Sequence, residues 1–205
     1  FRFNDAVASI RSGAPVVVAA ASGEHRFDAA LLCTGEQAAA LLSPLGLKLP
    51  LRRQSGYTVT APLRHVDGGP DAGPRGAVFD VASGVTFVRL GQRVRASLPA
   101  DAGDDGEALR DAPLATLYRA LDEVFPGAAQ VAKATQWKGH VLTTPDGLPV
   151  VGASGLPGLW LHLVDGASGG SVVAATARLC AELMTPGASP EAAQALSPAR
   201  FDKRG

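Results

Sequence analysis

Apolar residues recur along this chain with two different rhythms, and Gly- and Pro-rich turns separate the segments that carry them. Phe1-Arg2-Phe3-Asn4-Asp5-Ala6-Val7 alternates apolar and polar side chains, which predicts a short strand. Ala14 to Ala20 is an apolar run with three valines, again a strand. Ala21-Ser22-Gly23-Glu24 is a turn, so the chain returns as a hairpin through His25-Arg26-Phe27. Asp28 to Cys33 runs apolar without alternation, the pattern of a strand buried on both faces. Thr34-Gly35 ends it, and Glu36 to Leu42 predicts a short helix.

The rhythm changes after Pro44. Gln54 to Thr60 alternates in strand fashion between Pro50 and Pro62, and Val66 to Gly76 has the composition of a surface loop. Ala77 to Val81, Val85 to Leu90 and Arg93 to Leu98 are three further strands, joined by tight turns at Ala82-Ser83-Gly84 and Gly91-Gln92. Leu114, Leu117, Tyr118, Leu121 and Phe125 then recur at helical spacing. Pro113 suits the start of that helix, and Pro126-Gly127 stops it. Leu148 to Val151 and Leu159 to Val164 return to buried-strand character. Gly166 to Ser171 leads into a last helix from about Val172 to Met184. The predicted class is α/β with an α+β insertion. Residues 1–50 and 137–184 form an α/β layer, residues 51–136 an antiparallel sheet with one covering helix, and 185–205 a tail.

Composition narrows the partners. Of 205 residues 46% are hydrophobic and 19% charged, enough for a core and too apolar for disorder. The 19 basic and 19 acidic residues cancel and form no basic stripe, which excludes nucleic acid as an expected partner. Every apolar run is shorter than a transmembrane segment. His25, His65, His140 and His162 show no metal-ligand spacing and read as surface or satisfied histidines. Cys33 and Cys180 read as buried thiols, and no metal is expected.

The segment Trp137-Lys138-Gly139-His140-Val141-Leu142-Thr143-Thr144-Pro145-Asp146-Gly147-Leu148-Pro149-Val150-Val151-Gly152 resembles the C-terminal signature of the D-amino-acid dehydrogenase family and its glycine/sarcosine oxidase relatives. In that family Trp-x-Gly is followed by Arg-Pro and then by Thr-Pro-Asp-Gly-x-Pro, two hydrophobic residues and Gly. A glycine-rich turn and a final helix follow, a layout that Gly166 to Met184 matches. Asp28 to Gly35 resembles the family's strand ending in a small residue and Gly, and Ser55 to Thr60 its Gly-Tyr-Ser segment opening the substrate sheet. The resemblance runs from about Phe3 to Met184.

It implies a partial FAD-binding, Rossmann-like layer beside a substrate domain. FAD is the implied cofactor, and a small-molecule amine or D-amino acid the implied substrate. Gly166, Ala167, Ser168, Gly169 and Gly170 would approach the flavin with backbone N–H groups at a helix start, although such a run also serves as an ordinary strand-to-helix turn. Asp146 and Gly147 belong to a loop that nears the cofactor in the family, and Pro-Asp-Gly is equally a common turn. Thr34 and Gly35 either admit the pyrophosphate or ribose side of FAD or simply end a strand. Val7 either meets the adenine through its backbone or is a strand residue. Tyr57, Arg89 and Val141 are the implied substrate contacts. The resemblance also implies a cytoplasmic protein, with the inner-membrane surface as the alternative.

Two departures bear on activity. Val141-Leu142 stands where the family has Arg-Pro, so a guanidinium expected on a substrate carboxylate is missing. Val164-Asp165 stands where the family has Gly-His, placing a carboxylate where a reduced flavin's negative charge would be opposed. A catalytically degenerate binding protein, or one subunit of a split flavoenzyme, are the competing readings. No Gly-x-Gly-x-x-Gly follows any strand, the first residue is Phe1, and the only methionine is Met184. Both features lead us to expect that an N-terminal nucleotide-binding half is missing.

Overall fold

The computed structural model describes residues 1–64, 72–99, 106–163, 169–185, 187 and 192–201. The chain divides into two compact units, Phe1–Arg53 with Val141–Gly205, and Gln54–His140.

The first unit holds two small sheets. β1 (Val7–Arg11), β2 (Val16–Ala20) and β3 (Gly23–Phe27) form an antiparallel meander. The first strand begins where 1–7 was expected to end, because the valine run of β2 selects its partner by pairing: Ile10 opposes Val18 and Arg11 opposes Val17. Phe1 and Phe3 stay exposed. The second sheet has the order β10 (Val150–Ala153), β11 (Leu159–Leu163), β4 (Ala30–Leu32); β10 runs antiparallel to β11, and β4 parallel to it. Leu159, Leu161, Leu163, Leu32 and Val150 bury one face of this sheet with Val16, Ile10 and Ala38, Leu41 and Leu42 of α1 (Ala38–Leu42).

The other face does not match the expectation of double burial. A helix from Gly169 to Leu183 packs on β10 and β11, and His162 meets Thr176 of that helix at 2.9 Å. Val151 and Cys180 are buried, but Leu31 on β4 is 41% exposed, and Cys33, expected to be buried, is exposed. β4 lies at the sheet's edge, one strand beyond those on which that helix packs.

The second unit is a five-stranded antiparallel sheet in the order β6 (Val78–Asp80), β7 (Val85–Leu90), β8 (Arg93–Pro99), β5 (Arg52–Pro62), β9 (Thr135–Thr143). One helix, α2 (Asp111–Val124), covers it. Leu114, Leu117, Ala120 and Leu121 of α2 meet Tyr57, Val59, Ala61, Val85, Phe87, Val94 and Ala96 in a core from which water is excluded. Period two on the strands and 3.6 on the helix thus converge on one apolar face each. β9 escapes the pattern reading because its apolar Trp137 lies on the exposed side, while polar Gln136 and Lys138 take the side toward α2.

The last helices are α3 (Gly169–Leu183) and α4 (Ala192–Leu196), followed by a 3₁₀ turn at Pro198–Phe201. Residues 192–201 are therefore not a loose tail. Phe201 packs on the core of the first unit, and Arg200 reaches back to Asp146. The Val66–Gly76 loop lies partly, and the Gly166, Ala167 and Ser168 run wholly, outside the described residues.

Candidate functional site

Parallel pairing decides where the first unit can receive a ligand. Ala30 opposes Leu159 and Leu32 opposes Leu161, so β4 and β11 deliver their following turns to the same end of the sheet. In α/β sheets that carboxyl end is where ligands bind. After β4 come Thr34 and Gly35. Gly35 has φ +54, a left-handed conformation, and a Cβ there would touch nothing within 4 Å. The position therefore favours glycine for its backbone and leaves open space beside it. A 3₁₀ turn, Gly35–Gln37, leads directly into α1, and Arg53 pairs with Glu36 at 2.8 Å on its flank.

After β11, α3 opens at Gly169 and Gly170. Among the described residues Gly170 has no neighbour within 4 Å of a hypothetical Cβ, and the first turn of α3 carries no acidic side chain. Such a start presents backbone N–H groups and the positive end of a 15-residue helix to an anion. Val7 begins an edge strand, half-exposed, with a register irregularity before Ser9. Alternate backbone groups of β1 thus face away from β2. Bare backbone at Gly35 and Gly170, an anion-accepting helix start and an accessible strand edge suit part of a dinucleotide ligand. No described turn supplies a Gly-x-Gly-x-x-Gly cradle for a pyrophosphate.

Asp146 and Gly147 form a braced turn. Asp146 Oδ1 accepts the Leu148 N–H at 3.1 Å, and Thr144 Oγ1 donates to the Leu148 carbonyl at 2.8 Å. Arg200 clamps the carboxylate, with Nε 2.8 Å from Oδ2 and Nη2 3.3 Å from Oδ1. The Arg200 guanidinium holds the Asp146 carboxyl well below the usual carboxylate range. Its charge is thereby committed to joining the C-terminal segment to this loop.

The second unit rearranges the substrate candidates. Tyr57 is fully buried in the core, with Lys138 Nζ 5.2 Å from its ring centroid, so it cannot line a substrate surface. The Gly-Tyr-Ser resemblance located the strand correctly but not the direction of this side chain: Gly56 and Thr58 face away from α2, and Tyr57 faces it. Arg89 donates through Nε to the Gly91 carbonyl at 2.9 Å and through Nη2 to Gln92 Oε1 at 3.5 Å, bracing its own hairpin turn. Val141, on the end of β9 that belongs to the first unit, is 47% exposed.

Two arrangements were not anticipated from the sequence. His140 is almost wholly enclosed. Its Nδ1 lies 2.8 Å from Ser55 Oγ and its Nε2 3.2 Å from Glu107 Oε2. This hydroxyl–imidazole–carboxylate chain has the order of a hydrolytic triad, but Ser55 is 5% exposed within β5, closed to a substrate. It ties β5 and β9 to the segment before α2. The other is Arg95, exposed on β8, whose Nε donates to Thr60 Oγ1 at 3.0 Å. Strand alternation across β5 and β8 was the available signal for both. Among the described residues no His, Cys, Asp and Glu group could hold a metal ion.

Comparison with known proteins identifies the family and the fold. The family model described as FAD dependent oxidoreductase matches residues 1–183. A D-amino acid dehydrogenase of Methylobacterium sp. (strain 4-46) is 37% identical over 196 residues, covering 94% of this chain and 45% of that protein. One from Xanthobacter autotrophicus (strain ATCC BAA-1158 / Py2) is 34% identical over 187 residues, covering 90% and 44%. This chain thus spans less than half the length of these relatives. Among solved structures, iminodiacetate oxidase from Chelativorans sp. BNC1 superposes with a TM-score of 0.75 at 23% identity, over 95% of this chain and 53% of that one. Its likeness establishes the fold: a partial FAD-binding α/β layer with an antiparallel sheet.

Proposed function

This chain belongs to the FAD-dependent oxidoreductase family, and from that premise we propose that it is the C-terminal part of a flavoenzyme that oxidatively deaminates D-amino acids or related amines. The family is FAD-dependent. The observation that carries the substrate class is the match at 32–37% identity to several D-amino acid dehydrogenases, extending across nearly all of this chain. The two strand-to-helix turns at Gly35 and Gly170 support the cofactor.

Each element of the chain has a part in this reading. Thr34, Gly35 and Val7 hold the nucleotide side of FAD through backbone contacts. The start of α3 at Gly169 and Gly170 faces the flavin and favours negative charge on it, and the resemblance gives Gly166, Ala167 and Ser168 to the same contact. Asp146 and Gly147 shape the loop beside it, with Arg200 as the brace. When bound, the flavin would supply the hydride acceptor; the oxidised substrate would be an imine, which water hydrolyses to keto acid and ammonia. The five-stranded sheet carries the substrate, and its positioning contributes to rate without a dedicated acid or base in the protein. The pyrophosphate cradle comes from polypeptide outside this chain, either in the same protein or in a separate subunit; the 44–45% coverage of the relatives supports this.

The test is turnover. The complete protein, assayed with D-amino acids and neutral amines and an artificial electron acceptor, should release ammonia and keto acid from at least one D-amino acid. Valine at 141 favours one other reading, a relative that keeps FAD without catalysis. Stoichiometric FAD with no product from any amine would support that reading and overturn ours.

A further inference from the structure

The face of the five-stranded sheet turned away from α2 carries two cations among hydroxyls and aromatic rings: Arg93, which donates to the Thr60 carbonyl and Thr135 Oγ1, and Arg95. Cross-strand register fixes its members. Thr60 pairs with Arg95 and Arg95 with Val88. One step along, Thr58 pairs with Ser97, Ser97 with Thr86, and Thr86 with Phe79. Directly paired residues share a face. The residues between them, Val59, Ala96 and Phe87, are fully buried beneath α2, so this set points the other way. Contacts from Thr135 to Thr60 and from His140 to Ser55 make β9 antiparallel to β5 and set Trp137 beside Thr58. The Trp137 ring lies over Gly139, two residues on, where a Cβ would collide with it.

The result is a row of three hydroxyl residues, Thr86, Ser97 and Thr58, ending in an aromatic ring on either side. Phe79 and Trp137 are each 61% exposed. Arg95 stands next to Ser97 on the same face. Its Nε is anchored on Thr60 Oγ1 at 3.0 Å, and Nη1 and Nη2 make no hydrogen bond or ion pair among the described residues. Among the described residues no Asp or Glu occupies a strand position on this face. A guanidinium pre-set by one hydrogen bond keeps its remaining fork for an acceptor with two oxygens.

We propose that Arg95 binds the carboxylate of the substrate, with the Thr58, Ser97 and Thr86 hydroxyls donating to it and Trp137 and Phe79 flanking its apolar part. This rests on the amine-oxidation reading and deepens it. Arg95 is the specificity-determining cation of the sheet, in place of Arg89, which pairs across with buried Val94 and is engaged by its own turn. The favoured substrates are amino acids with bulky, flat side chains.

Benzoate, an unreactive aromatic carboxylate, and benzamide, its neutral isostere, separate charge from shape. Both are titrated calorimetrically into the complete protein that contains this chain. Benzoate should bind and benzamide should not compete. Arg95→Met should weaken benzoate about tenfold or more, Arg95→Lys should recover part of the loss, and Arg89→Met should change nothing. In turnover, Arg95→Met should raise KM for a D-amino acid while leaving KM for a neutral amine unchanged, with the same melting temperature. Equal benzoate affinity in the unmodified and Arg95→Met proteins overturns the proposal, as does no benzoate binding at all. FAD content of the same samples tells the two readings apart. With FAD present, indifference to Arg95 refutes only its role. Without FAD the amine-oxidation reading itself falls, and the benzoate titration still decides on Arg95.

Discussion

An arginine at position 141 would offer two charge-assisted hydrogen bonds to a carboxylate, and the valine present offers none. Losing such a partner in a desolvated site costs on the order of 2–5 kcal/mol. With Arg95 as the remaining cation for the carboxylate, the complete protein should be poor on D-alanine, whose methyl group gives the flanking rings of Trp137 and Phe79 little to hold. Val141→Arg should raise kcat/KM on D-alanine about tenfold or more and leave neutral amines unchanged. Efficient use of D-alanine by the unmodified protein, with no gain in the variant, would remove Val141 from the substrate site. Asp146 makes a stability prediction. Its carboxyl is held far below the ordinary value of 3.8, chiefly by hydrogen bonds from Arg200, against an opposing desolvation. A carboxyl lowered on folding contributes stability above its unfolded value and loses it as pH falls through the folded one. Asp146→Asn should thus cost about 1–2 kcal/mol near neutral pH, discounted for partial exposure, and the gap should shrink steadily below pH 3.8. Urea unfolding over a pH series checks it; a gap independent of pH would mean that the Arg200 pair contributes nothing.

At the scale of elements, the sequence foretold those with a single clean period. β7, β8, β5 and α2 each put apolar residues on one face, and each was legible for that reason. β1 was misplaced because Phe1 and Phe3 alternate as a strand does, while pairing with β2 selects Val7–Arg11. β9 was missed because burial inverts its hydropathy: Trp137 is exposed, while Gln136 and Lys138 face the α2 side. The C-terminal turn was missed because its anchor, Arg200 on Asp146, joins residues far apart in sequence. The candidate site followed the same division: Gly35 and Gly170 could be read from local chemistry, while the directions of Tyr57 and Arg95 required strand register. Gly158 gives the sharpest test of the first unit's packing. It has φ +71, and a Cβ there would lie 2.8 Å from the Gly13 carbonyl oxygen and closer still to Val16. Gly158→Ala should destabilise the chain by about 2–4 kcal/mol, from backbone strain plus overpacking. A melting temperature within a degree or so of the parent would show that the turn after β10 is not held against β2.

For the whole molecule, the half-exposed Leu31 on edge strand β4 and the shared end of two parallel strands describe a sheet open to further structure. The chain by itself should bind a hydrophobic dye, and Leu31→Lys should reduce the signal. It should also hold FAD only weakly, because the contacts proposed at Gly35, Gly170 and Val7 include no pyrophosphate cradle. Submicromolar, stoichiometric FAD binding by this chain alone would contradict that division of labour. The central claim, amine oxidation by a FAD-dependent enzyme of which this chain is the C-terminal part, is tested most directly without any electron acceptor. The complete protein, purified with its flavin and kept anaerobic, is mixed with D-amino acids of increasing side-chain size while the visible absorbance of oxidised flavin is followed. Absorbance should fall stoichiometrically with at least one D-amino acid bearing a bulky, flat side chain, and more slowly with D-alanine. Bound flavin that stays oxidised against every D-amino acid and amine would contradict that claim.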